Sequence, residues 1–345
     1  GCSLFFLPVI MSNTFFEPKV VSAVAVGAIT LCLLQVSYFI KSTFFVSNKH
    51  VADVPSECRD KDGYKKLITA YVFDGPGRGI SGSQFSTKLT MYLRLAGVPH
   101  AVKLAQFEKA PKGKTPYIEH DGETFGDTQL IIRYLENTFD LPKMAANVAK
   151  ANGTAPVFIP FSALSPEDQA VSDLIRLTCE GELYWAVALI RWGGTFGIGQ
   201  SEVHWIKTCE AYFMAIPSFI RGILTSMIRV SFLRDAWGQG LIRHSPNDQL
   251  YLAQRALKSI STILGKKKFF LGDAPSECDC CAFGCLENGL EDTTWPSALS
   301  VYLRNECPNL VDYVARVRAL AFADVPPSDL RPASKESYIP YPRKE

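Results

Sequence analysis

Hydrophobic and polar positions divide the chain into two regions of different character. Residues 20–40 (VVSAVAVGAITLCLLQVSYFI) carry no charge, and Lys19 and Lys41 bracket them. As a helix this run spans about 31 Å, the thickness of a hydrocarbon core. Ser22 and Thr30 can bond back to helix carbonyls, and Tyr38 lies near one end, where an interfacial belt suits an aromatic ring. No small-residue cleavage site follows Ile40; Lys41, Phe44, Phe45, Val46 and Lys49 come instead. The pattern therefore predicts a transmembrane anchor rather than a signal peptide. Lys41, Lys49 and Arg59 follow the run while Glu17 and Lys19 precede it, which puts the C-terminal body in the cytosol. Residues 47–66 are polar and read as a tether, so 1–66 forms an anchor-and-tether region.

From residue 67 the pattern changes. Residues 67–73 (LITAYVF) are β-branched and aromatic and predict a buried strand. After a turn-rich stretch, Phe85, Leu89, Leu93, Leu95 and Ala96 show helical spacing, which Gly97 stops. Residues 98–104 read as a second strand. Thr115-Pro116 leads a third, Asp121-Gly122 makes a hairpin turn, and Phe125 ends a fourth. Asp127 is placed to cap a helix over 128–139, with Leu130, Ile131, Tyr134 and Leu135 on one stripe. The order, with X-Pro heading the third strand, predicts a thioredoxin-like α/β domain over 67–140. Residues 141–164 are rich in Ala, Asn and Pro and read as a connector.

Residues 165–325 predict an all-helical domain, followed by a tail over 326–345. Ser165-Pro166-Glu167-Asp168 opens one long helix through Trp192, carrying Leu174, Leu177, Leu183, Tyr184, Val187 and Ile190. The segment 211–232 is apolar, but Arg221, Arg229 and Pro217 argue against a membrane span and for a buried or membrane-surface helix pair. Ser276 and Asp279 form a capping-box pattern with Asp in place of Glu.

Composition narrows the class. The 345 residues are 47% apolar and 20% charged with net charge +2, which excludes disordered, collagen-like and coiled-coil chains and argues against a nucleic-acid partner. Ten cysteines are too few and too unevenly spaced for a disulfide scaffold and point to a reducing compartment. Cys278, Cys281 and Cys285 share a helical face with Cys280 beside them, but the spacing fits no common finger; core packing, with no metal site, is the reading. The Gly-rich run at 193–199 follows a helix, not a strand, so it is no dinucleotide loop.

The runs SGSQFSTKLTMYLRLAGVPH and GKTPYIEHDGETFGDTQLIIRYLE resemble the N-terminal domain of glutathione S-transferases. LSPEDQAVSDLIRLTCEGELYWAVALIRW, GQGLIRHSP and FFLGDAPSECDCCAFGCL resemble the failed axon connections family, a metaxin-related branch of that superfamily. The resemblance covers 67–322 and implies a transferase-like fold, here preceded by one transmembrane helix, with glutathione as substrate. It implies that Ser83 is the catalytic hydroxyl, donating to the glutathione sulfur, though Ser83 serves equally as a helix cap. It implies that Thr115 and Pro116 bind the cysteinyl backbone and that Asp127 and Thr128 bind the γ-glutamyl group, or that the pair simply caps its helix. Ser86 stands where the family often has Cys, which removes mixed-disulfide chemistry. Arg78, Lys103 and Lys114 are the nearest cations for the glycyl carboxylate. Glu180, Glu182, Tyr184 and Trp185 either line the cleft or sit on an amphipathic helix, and His244 is a base or a structural histidine. The implied partners are glutathione and small electrophiles, the membrane through 20–40, and a homodimer or a membrane protein complex. The outer mitochondrial membrane and the endoplasmic reticulum both suit such an anchor. The alternative is a non-catalytic adaptor that keeps the fold for protein contacts.

Overall fold

The computed structural model describes residues 30, 67–73, 80–151, 153, 157–193, 202–213, 216–290 and 297–325. The expected anchor at 20–40 lies outside the described residues apart from Thr30, as do the tether, Arg78, most of the Gly-rich run and the tail. Among the described residues, no helix is long and apolar enough to cross a membrane.

The first half is built on four short strands: β1 (Ile68–Val72), β2 (His100–Leu104), β3 (Tyr117–His120) and β4 (Glu123–Gly126). Their order is β2-β1-β3-β4, with β1 and β2 parallel and the rest antiparallel. The parallel pair needs a crossover, and α1 (Gln84–Leu95) supplies it. Gly97 ends α1 at φ 73°, a backbone region that costs other residues a Cβ clash. Asp121 and Gly122, at φ 54° and 82°, make the hairpin turn between β3 and β4. Helix α2 (Thr128–Thr138) follows and buries Ile131, Tyr134 and Leu135. The thioredoxin-like order expected over 67–140 is therefore present.

The 141–164 region is more than a connector. Leu141–Ala151 forms α3, because Leu141, Ala145 and Ala149 repeat every four residues and are all buried. Pro142 sits in its first turn, where no N–H is needed. Ile159 then makes a parallel bridge to Ser276 in the helical half.

That half contains α4 (Pro166–Leu177), α5 (Tyr184–Trp192), α6 (Glu202–Tyr212), α7 (Ser218–Gln239), α8 (Pro246–Leu264), α9 (Glu277–Leu290), α10 (Ala298–Glu306) and α11 (Pro308–Ala321). The long helix expected through Trp192 is interrupted by a π-turn at Thr178–Leu183. A π-turn adds a residue and resets the helical phase. As a result Ser172, Ile175 and Cys179 face inward before it, and Leu174 and Leu177 are exposed. Helix α7 is not buried as one alternative had it; of its 22 residues only Thr225 and Ala236 are buried. Ser245 caps α8 as its Ser-Pro start predicts. At Ser276 half of the capping box forms: Asp279 accepts from the Ser276 N–H at 2.8 Å and from its hydroxyl at 3.0 Å. Asp279 also accepts from the Phe270 N–H at 3.0 Å and the Tyr313 hydroxyl at 3.1 Å, all inside the core. Burial pushes its carboxyl up, against those donors.

Candidate glutathione site

One end of the sheet gathers the predicted site. The antiparallel register pairs Tyr71 with Tyr117 and Tyr117 with Gly126. Extended by two residues, it sets Thr115 opposite Phe73 at the end of β1, with Asp127 just beyond Gly126. The Thr115–Pro116 peptide bond is cis. The chain leaving β1 leads to the start of α1, and the chain leaving β4 leads directly to α2. The N-termini of two helices and the head of β3 thus sit at the same end of the sheet.

Ser83 is the N-cap of α1, and its Oγ accepts from the Ser86 N–H at 3.4 Å. That distance is near the limit for a hydrogen bond, so the cap is weak. Ser86 is fully buried and its Oγ accepts from the Phe73 N–H at 3.0 Å. Where the family often carries a thiol, this chain uses the hydroxyl to tie α1 to β1. Ser81 does the complementary job, donating to the Phe73 carbonyl at 2.7 Å and accepting from the Ser83 N–H at 3.1 Å.

The helical half fixes the same loop. Glu287 accepts from the Ile80 N–H at 3.0 Å, and Arg318 neutralises it at 3.1 Å. Asn288 donates to the Ser81 carbonyl at 3.3 Å and Arg191 to the Gly82 carbonyl at 3.0 Å. Arg191 also donates to the Asn288 side chain and carbonyl. The sequence reading missed Glu287, Asn288 and Arg191. Their signal was present: polar side chains inside otherwise apolar helix turns.

Asp127 caps α2, its carboxylate accepting from the N–H groups of Gln129 at 3.0 Å and Leu130 at 3.3 Å. Its backbone stands at φ 80°, ψ 115°, a conformation that costs a residue with a Cβ about 1–3 kcal/mol. Thr128 beside it is buried. An exposed acid held in a strained conformation at a helix N-terminus is suited to face an ammonium while the helix end faces a carboxylate.

Directly beneath α2 lies a polar cluster that the sequence did not announce. Lys88 is 1% exposed and donates to Gln129 at 3.0 Å and Glu180 at 2.8 Å. Gln129 donates onward to Glu277 at 2.8 Å. Glu180 also meets Arg176 at 3.3 Å and the Cys281 thiol at 3.2 Å. Burial opposes the charge on Lys88, but Cys281, Glu180 and Glu277 around it outweigh that effect and hold its pKa above the ordinary value. Burial pushes the Glu277 carboxyl up, with Lys88 and Gln129 pulling the other way. Glu180 therefore joins the two halves instead of lining a cleft. Tyr184 packs edge-on against Phe85, one turn into α1, and Trp185 stacks on Phe232.

Of the cations expected near the glycyl carboxylate, Lys114 is exposed and lies 3.9 Å from Asp235, and Lys103 is exposed on β2. Cys278, Cys280, Cys281 and Cys285 are all buried in α9, and burial pushes the thiols of the first three up. They pack the core as neutral groups, not as nucleophiles.

Residues 84–196 match the model of the glutathione S-transferase N-terminal domain and residues 253–317 that of the glutathione S-transferase C-terminal domain. The fold is thus that of a glutathione S-transferase-like protein. Failed axon connections of Drosophila melanogaster is 25% identical over 276 residues, 75% of this chain and 59% of that protein. The matched region therefore spans little more than half the length of that relative. Isoprene-epoxide–glutathione S-transferase of Rhodococcus sp. (strain AD45) is 29% identical over 267 residues, 73% of this chain and 98% of that enzyme. Metaxin-1 of Homo sapiens is 34% identical over 113 residues, 29% of this chain and 24% of that protein. The chain belongs to the glutathione S-transferase-like family of failed axon connections and metaxin.

Proposed function

We propose that the chain binds glutathione at the end of the sheet formed by Ser83, Thr115, Pro116, Asp127 and Thr128, and conjugates it to small electrophiles. The observation that carries this reading is the cis Thr115–Pro116 bond heading β3, set between the starts of α1 and α2. Backbone groups beside that bond suit an extended peptide, which would pair with them like an added strand. The α1 N-terminus and the Ser83 hydroxyl favour a thiolate over a thiol. Asp127 meets the γ-glutamyl ammonium, and the first turn of α2 its carboxylate. An epoxide is a fitting electrophile, since the Rhodococcus relative carries that substrate in its name. The thiolate sulfur attacks an epoxide carbon, the C–S bond forms as the C–O bond breaks, and the alkoxide takes a proton from water.

The membrane reading belongs to the same proposal: residues 20–40 anchor the chain and the body faces the cytosol. It rests on the uncharged run and the cations after it. Carbonate extraction and protease protection of the full chain test it; release by carbonate would refute the anchor. Calorimetry with reduced glutathione, followed by product analysis with a small epoxide, tests the chemistry. Binding without turnover would leave a glutathione-binding adaptor, and no binding at millimolar glutathione would refute the reading.

A further inference from the structure

Helix α7 presents a side that nothing among the described residues covers. Phe219, Ile223, Val230 and Trp237 are 82%, 55%, 56% and 59% exposed. They are separated by four, seven and seven residues, which sets them within about 40° of one another on the helix circumference. The exposed residues between them on that side are small or cationic: Gly222, Ser226 and Arg234. The stripe runs nearly the whole helix, about 30 Å.

Charge limits what can cover it. From Ala211 to Arg234 the sequence has Arg221, Arg229 and Arg234 and no acidic residue. The first acid, Asp235, meets Arg234 at 2.8 Å and Lys114 at 3.9 Å. Beyond the helix, the Arg243 guanidinium lies over the Trp237 ring at 5.3 Å. A second copy docked on this side would set arginine-bearing helices against each other. A transbilayer placement is excluded by the helix's hydropathy and by Arg229 near its middle. An apolar stripe with an aromatic residue near each end and only cations along most of its length matches the interface of an anionic bilayer.

We propose that α7 lies flat on an anionic lipid bilayer. Phe219, Ile223, Val230 and Trp237 enter the boundary between headgroups and acyl chains, and the arginines reach their charges toward the headgroups. The contact is separate from the 20–40 segment: an anchor holds the chain near any bilayer, whereas this side of α7 selects a negatively charged one.

Hydrogen exchange of the full chain with phosphatidylcholine vesicles, and with vesicles that also contain phosphatidylserine, tests this. Amides of 218–239 are expected to slow about tenfold with the anionic vesicles and not with the neutral ones, while those of 246–264 stay the same in both. Trp237 emission is expected to be quenched by brominated acyl chains only with the anionic lipid. The double variant Ile223→Asp/Val230→Asp, at two exposed positions, should keep the parent's melting curve and lose both effects. Equal exchange with both lipids, or unchanged slowing in the double variant, would overturn the proposal. Slowing that grows with protein concentration in the absence of lipid would overturn it in favour of a second copy.

Discussion

Lys88 Nζ lies 2.8 Å from Glu180 Oε1, and this pair couples the helix that starts at Ser83 to the π-turn of the helical half. Replacing Lys88 with Met leaves Glu180 with Arg176 alone. Breaking such a buried pair from one side costs about 3–5 kcal/mol, and Glu180's partial exposure puts the expectation at the lower end. Lys88→Met/Glu180→Leu should recover most of that loss. Urea unfolding measures both; a single variant as stable as the parent would contradict the role given to the pair.

Gly284 of α9 sits where the helical half meets α1 most closely. A Cβ there would stand 2.5 Å from the Gln84 carbonyl oxygen and 3.3 Å from the Lys88 nitrogen. Both are backbone atoms of a helix and cannot swing aside. Gly284→Ala is expected to cost about 1–3 kcal/mol in thermal or urea unfolding. Gly82→Ala should cost less, because its new methyl meets the Tyr212 ring, which can rotate.

His100 sets a pH dependence. Burial, helped by Arg94 and opposed by the Val98 carbonyl, lowers its pKa to about 4. Its Nδ1 donates to that carbonyl at 2.7 Å. Between pH 4 and the ordinary value near 6.5, the unfolded chain binds a proton that the folded chain refuses. The contribution is therefore complete above pH 6.5 and falls with pH, by roughly 3 kcal/mol at pH 4. Unfolding of parent and His100→Gln at pH 7 and pH 4.5 checks this: the parent should lose more stability than the variant. A parallel loss in both would contradict it.

Asp127 combines a cap with strain. Asp127→Ala loses the carboxylate cap and keeps a Cβ at φ 80°, so a loss of about 1–2 kcal/mol is expected. Asp127→Gly loses the same cap but relieves the backbone, and should unfold later than the Ala variant. Reversed order in thermal unfolding would show that the backbone carries no strain.

Local rules made much of this legible. Gly97, Asp121-Gly122, Thr115-Pro116 and Asp127 are residues whose backbone or capping chemistry leaves few alternatives, and each stands where its chemistry requires. What was hidden depends on partners distant in sequence. Nothing local distinguishes Lys88 from a solvated lysine until Glu180 and Gln129 come beside it. Nor does anything near Glu287 show that it holds Ile80, over two hundred residues earlier. The π-turn at Thr178–Leu183 escaped because a heptad-like stripe reads the same until the phase shifts. The small Ala residues of 141–151 looked like a linker because a narrow buried helix needs little side chain. Site residues were legible by type and order, and the groups that hold them were not.

The most direct measurement of the central claim is an ultraviolet titration of bound glutathione thiolate in the full chain and in Ser83→Ala, with conjugation of an epoxide followed in parallel. The account predicts that the parent binds glutathione and ionises its thiol below the pH at which free glutathione does so. In Ser83→Ala binding should persist, ionisation should shift upward, and turnover should fall by about a hundredfold or more. Thiolate formation and turnover unchanged in Ser83→Ala, or no glutathione bound by the parent, would contradict it.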